Sequence, residues 1–154
     1  MADQLAEFIH RKVHAESAGP DWQAKKHTWI QSVESLYKRV ELMLKDPVDA
    51  GDVSVETKAM EITEEFVGTY SIPRLELRVG NERVEFRPMG LTVFGSDGRV
   101  DIRGERGVIT LIRNGSGSES EWTMVLQRAP DRKTAPLDPD SLRYALERVM
   151  LPVP

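Results

Sequence analysis

The chain has no cysteine. Disulfides, thiolate catalysis and cysteine metal sites are excluded together, which fits a reducing cytosol. No stretch approaches the ~20 apolar residues of a membrane-spanning helix. Met1 to Glu7 has neither the basic nor the apolar region of a secretory leader. The expectation is a cytoplasmic protein that makes no use of a membrane. Positive charge is not in excess either: the formal net charge of −4 gives the whole molecule no pull toward nucleic acid or anionic lipid. Catalytic signatures are also missing. There is no Gly-x-Ser-x-Gly elbow. The glycine-rich segment 114–118 lacks the Lys-Ser/Thr ending of a phosphate loop. Gly104 and Gly107 lie between predicted strands, not between helices as in a KH module. Glu61, Glu64 and Glu65 offer carboxylates with no partner at a telling spacing. The reading leans away from an enzyme, and no cofactor is expected.

Alternation is what the chain has. From Leu75 to Phe86, apolar and charged residues alternate on both sides of Gly80-Asn81. Folding there sets Leu77 against Val84 and Leu75 against Phe86, and leaves Arg74, Glu76, Arg78, Arg83, Glu85 and Arg87 on the opposite face. Gly and Asn tolerate the positive φ of a two-residue turn, so register and turn chemistry agree. A half-buried antiparallel sheet is the predicted centre of the fold.

Helical periodicity surrounds it. Leu5, Phe8, Ile9 and Val13 predict a first helix over 3–17, stopped by Gly19-Pro20. Asp21 caps a second helix to about Lys45, with Trp22, Trp29, Val33, Leu36, Tyr37, Val40, Met43 and Leu44 in one stripe. Segment 46–52 reads as a connector. Residues 53–66 fit a helix or a strand, and their β-branched content favours a strand with a bulge. A second hairpin is expected at Asp97-Gly98, pairing Val93 with Ile102 and placing Phe94 beside Asp101. Val108 to Arg113 is apolar at both parities and predicts cover on both faces. Trp122 to Arg128 is the expected last strand, 114–120 a mobile loop and 129–136 a polar loop. Asp138-Pro139 starts a C-terminal helix over 138–150, burying Leu142, Ala145, Leu146 and Val149. The predicted class is α+β in one domain, 1–154: a helical hairpin over 1–45, an antiparallel meander of about six strands over 53–128, and one C-terminal helix.

Between Glu64 and Gly107 the chain reads Glu-Glu-Phe-Val-Gly-Thr-Tyr, then Arg-Pro-Met-Gly, then Gly-Arg-Val-Asp-Ile-Arg-Gly-Glu-Arg-Gly. This third of the chain resembles a set of uncharacterised bacterial proteins. The resemblance implies a bacterial origin and an antiparallel sheet, and favours strand over helix for 53–66. It brings no activity with it.

Four constellations could carry function. His10 and His14 stand four apart on a helix beside Asp3 and Glu7, a spacing that can grip a metal, yet His27 is the only further histidine, and the plainer reading is a solvated face with no metal. Arg74, Arg78, Arg83 and Arg87 form a row that could dock an acidic partner or a phosphate backbone. Residues 74–113 hold eight arginines against six acids, and no aromatic residue alternates with the row for base stacking, so nucleic acid ranks last. Arg99, Asp101 and Arg103 share a strand face, where an Arg-flanked carboxylate suits an ion pair better than a general base. The alternative is a small-ligand-binding protein or enzyme, with Tyr70, Arg87, Asp101 and Arg103 lining a pocket between sheet and helices. The leading expectation is an interaction or accessory module that binds another protein or a second copy of itself, with Trp22 and the Arg row as contacts.

Overall fold

The computed structural model describes residues 2–17, 21–92, 96–127 and 130–154. Its elements run α1 (Ala2–Ser17), α2 (Trp22–Met43), α3 (Lys45–Asp49), β1 (Val53–Glu64), β2 (Gly68–Val79), β3 (Glu82–Gly90), β4 (Arg99–Gly104), β5 (Gly107–Asn114), β6 (Glu121–Gln127), β7 (Lys133–Pro136) and α4 (Pro139–Val149). The strands form one antiparallel sheet in sequence order. The α+β meander is as the sequence predicts, with seven strands in place of about six. The additional strand is β7, where a polar loop was expected. It pairs Thr134 with Val125 at the sheet edge, where backbone hydrogen bonds suffice without an apolar pattern.

The opening hairpin has the predicted register: Leu75 faces Phe86 and Leu77 faces Val84. All four side chains are fully buried. Gly80 takes the positive φ of the turn (60°), and Asn81 does not share it. β1 is a strand, as its composition favours. Its faces exchange along its length: Lys58 points to the charged side, where its ammonium lies 3.2 Å from Glu76, while Met60, two residues on, packs on the core. Arg74 and Ile72 do the same on β2, so the two strands turn over together while remaining paired one to one. This is a coordinated twist, not a bulge in one strand.

The second hairpin differs from expectation. β3 runs on to Gly90 and pairs directly with β4, so Phe86, and not Val93, faces Ile102. Burial continues to alternate along β3 through Arg87, Pro88, Met89 and Gly90, and that longer ladder takes the place of a short strand over 91–94. Val93 and Phe94 lie outside the described residues. β5 also differs: Ile109, Leu111 and Arg113 face the core, whereas Val108 is 42% exposed on the other side. Segment 46–52 contains the short α3.

Helices α2 and α4 share a single apolar core with the sheet. Asp21 caps α2 through Ala24 N–H, and Asp138 and Ser141 form a reciprocal capping box on α4. Trp29, Val33, Leu36 and Val40 are fully buried, while Trp22 and Met43 are half-buried. Ala145 and Val149 are buried and Leu146 is partly so. The Tyr37 hydroxyl donates to Pro73 O at 2.8 Å and lies 3.2 Å from Phe86 O. The β2–β3 ladder ends here, because Pro73 has no N–H to continue it. Burial, reinforced by the Glu85 charge, pushes the Tyr37 phenol above its ordinary pKa, so it remains a donor. Tyr37→Phe deletes this donor at almost no cost in volume. Its urea midpoint is expected to fall by the equivalent of about 1–2 kcal/mol, and an unchanged midpoint would refute the role.

Candidate functional site

The face of the sheet away from the core collects the predicted Arg row. Register places Lys58, Arg74, Arg78, Arg83, Arg87, Arg99 and Arg103 there with Glu56, Glu76, Glu85 and Asp101. Arg78 faces Arg83 and Glu76 faces Glu85, so opposite charges meet diagonally: Arg74 to Glu85 at 3.2 Å and Arg83 to Glu76 at 3.6 Å. This face is a balanced grid with a modest excess of cations.

Asp101 is buried within that grid. Arg99 grips its carboxylate with two bonds of 2.8 and 3.0 Å, and the Thr110 hydroxyl donates a third at 3.1 Å. The expected ion-pair cluster exists, but Arg103 makes none of these bonds and its buried Nε has no partner among the described residues. Tyr70 lies on the helix side of the sheet, bonded to Trp29 of α2. Tyr70 therefore does not converge with Asp101 and Arg103, and the four candidate ligand residues do not share a pocket. His10 is exposed on α1, and the His14 side chain lies outside the described residues. Among the described residues no group of three or more His, Asp or Glu is arranged to hold a metal ion.

The structure assembles a polar cluster where sequence gave little warning. Trp29 Nε1–H donates to the Tyr70 hydroxyl at 3.0 Å, and that hydroxyl donates to the Glu64 carboxylate. The other Glu64 oxygen accepts from Thr92 N–H and the Thr92 hydroxyl, both at 2.8 Å. Burial alone would raise the Glu64 pKa, but hydrogen bonds from Tyr70, Thr92 and Leu91 outweigh it and hold the carboxyl below its ordinary value. A Cβ at Gly90 would stand 2.4 Å from a Glu64 oxygen, so a side chain there would displace the carboxylate from Thr92.

Arg113 anchors the neighbouring loops. It is 2% exposed, and among the described residues no carboxylate pairs with it. Its Nε lies 3.2 Å from the Ser32 hydroxyl and 3.1 Å from that of Ser120, while Asp97 O and Gly117 O accept from its terminal nitrogens at 2.9 and 2.8 Å. Segment 115–120, expected to be mobile, is thus tied to α2 and to the loop before β4. Burial pulls the guanidinium pKa down, and the nearby Asp97 charge pushes it back up. The alternation of β5 did place Arg113 on the core parity, which is the one signal that could have found it.

Two apolar surfaces remain uncovered. On α1, Leu5, Phe8, Ile9 and Val13 are 65%, 59%, 51% and 54% exposed. Between α2, α4 and the chain end lies a groove of about 550 Å³ whose walls include Met43, Leu142, Leu146, Met150, Leu151 and Val153. Trp22 is half-buried, stacked on the exposed Phe66 at 5.6 Å with Lys25 over its ring. Phe66 is the one non-glycine residue with positive φ (68°) among those described. An exposed aromatic residue held in that conformation on a hairpin tip is a further contact candidate.

The lowered Glu64 pKa fixes a pH dependence. The unfolded carboxyl takes up a proton more readily, so the cluster's stabilisation is present above the ordinary carboxylate range and is lost as pH falls through the lowered value. Glu64→Gln should lower the urea midpoint at neutral pH, with the gap to the unaltered protein closing in acid; a gap that persists in acid contradicts the assignment. No protein family, no curated protein and no solved structure matches this chain, so the site stands on its geometry.

Proposed function

We propose that this protein is a non-catalytic interaction module that engages another protein chain through α1. The observation that carries the reading is the exposed stripe of Leu5, Phe8, Ile9 and Val13 on a helix of 16 residues. A helix of that length is marginal in water on its own and gains stability mainly by burying its apolar face. Anchors at i, i+3, i+4 and i+8 match the way amphipathic helices enter grooves on other chains. The Trp22–Phe66 pair offers a further partly exposed aromatic contact. Affinity capture from the native cell tests this. The unaltered chain is expected to retain a companion that Phe8→Asp loses at least tenfold, and identical retention by both chains would refute the reading.

The sheet face favours a second reading. Seven basic against four acidic side chains give a positive surface on a molecule of net charge −4. Such a face suits weak, salt-sensitive docking of a phosphate backbone. Titration with a random oligonucleotide at low salt should give binding that weakens steeply as salt rises and weakens again in Arg78→Glu. Absence of binding at low salt ends this reading.

A further inference from the structure

We infer that the open edge of β1 is a self-pairing surface, on which β1 of a second copy lies antiparallel about a two-fold axis at Thr57 and joins the two sheets into one. This goes beyond the α1 reading and uses none of its residues.

The sheet has two ends of unequal kind. Strand β7 is four residues long and finishes on Pro136, and both features blunt an edge. Strand β1 has 12 residues, no proline and a one-to-one register without a bulge. Its backbone orientation follows from the turn at Gly80-Asn81. Val79 and Glu82 close a two-residue loop and bond to each other, so Leu77 and Leu75 also bond to β3, while Arg78, Glu76 and Arg74 between them point at β1. Carried across the register, Ser54, Glu56, Lys58 and the even positions beyond them bond to β2. The Gly80 N–H, which donates to Asp52 O at 3.4 Å, obeys the same parity. The N–H and C=O groups of Val53, Val55, Thr57, Ala59, Glu61 and Thr63 therefore point away from the sheet, and no other hydrogen bond among the described residues uses them. Thr57, Ala59, Glu61 and Thr63 are exposed.

Charge selects the occupant. Glu56 sits directly opposite Glu76, and the cation beside it, Lys58, lies 3.9 Å away but 3.2 Å from Glu76. Glu56 is left short of positive charge, and a second β1 supplies it. A two-fold axis normal to the sheet sets residues of equal parity opposite one another. Centred on Glu56, Lys58 or Glu61, the pairing sets like charges face to face. Centred on Thr57, it sets Glu56 of each copy against Lys58 of the other, in the closer pairs that share no hydrogen bond, and Thr57 against Thr57. Val55 then meets Ala59, and the overlap from Val53 to Glu61 forms about ten main-chain hydrogen bonds over roughly 30 Å. The assembly closes at two copies, because both β1 edges are used and only the blunt β7 edges remain.

Light scattering on the full chain from about 1 μM to about 1 mM tests the pairing. The expected result is a monomer–dimer equilibrium. Thr57→Pro removes an outward N–H without touching the β1–β2 ladder, and should raise the dissociation constant at least tenfold. Glu56→Lys should do the same by setting lysines face to face, although a lysine opposite Glu76 does not weaken the fold itself. Lys58→Glu should do the same with carboxylates. Mixing these last two variants should recover a heterodimer, because the lysines of one chain then face the glutamates of the other. Phe8→Asp should leave the dimer unchanged. Circular dichroism confirms that each variant is folded. A monomer at every concentration overturns the inference, as does a dimer indifferent to Thr57→Pro, a dimer lost in Phe8→Asp or a mixture that recovers nothing. None of these outcomes bears on the capture of a companion through α1, so the two readings fail separately.

Discussion

A seven-stranded antiparallel sheet must bury one face, and this molecule has a single layer of helix with which to do it. Alternation along β3, β4 and the half of β2 from Leu75 onward makes that sufficient. Leu75, Leu77, Val84, Phe86 and Ile102 go under the helices, and the intervening residues are free to be charged. Every surface feature follows from this one-sidedness. The charged grid exists because nothing needs to cover it. The groove lies where the end of α2, α4 and the tail after it present apolar side chains that no further element covers.

Where alternation fails, buried polar groups take over. Pro73 ends a ladder, and Tyr37 supplies the missing donor from α2. The loops around β4 and β5 have too few apolar residues to fix themselves, and the Arg113 guanidinium gathers them instead, with Trp29 stacked against it at 5.7 Å. Glu64 secures the far end of the first hairpin to the segment after β3. Each device spans distant parts of the chain, so each stabilises tertiary arrangement over local structure. Between helices and sheet, the core is filled by Trp29, Trp122, Phe86 and their neighbours.

The uncovered surface is apolar on α1 and along the groove between α2 and α4, and charged on the outer face of the sheet. The groups with the most unusual environments, Tyr37, Glu64 and Arg113, hold backbone carbonyls, amides and hydroxyls.

The sequence by itself determined the strands of the opening hairpin, their register and the caps of α2 and α4, because these depend on period, turn chemistry and residues within a few positions of one another. It determined that Arg74, Arg78, Arg83 and Arg87 share a face, since parity along a paired strand is local. It did not determine that β3 would outlast Pro88 and take Ile102 as the partner of Phe86, or that β7 would close the sheet. Those outcomes compare competing pairings across the whole meander. Nor could it tell that the stripe of α1 stays open while an equally regular stripe on α2 is buried. Both read as amphipathic helices, and only the tertiary structure decided between them, because the sheet has one apolar face and α2 and α4 already fill it.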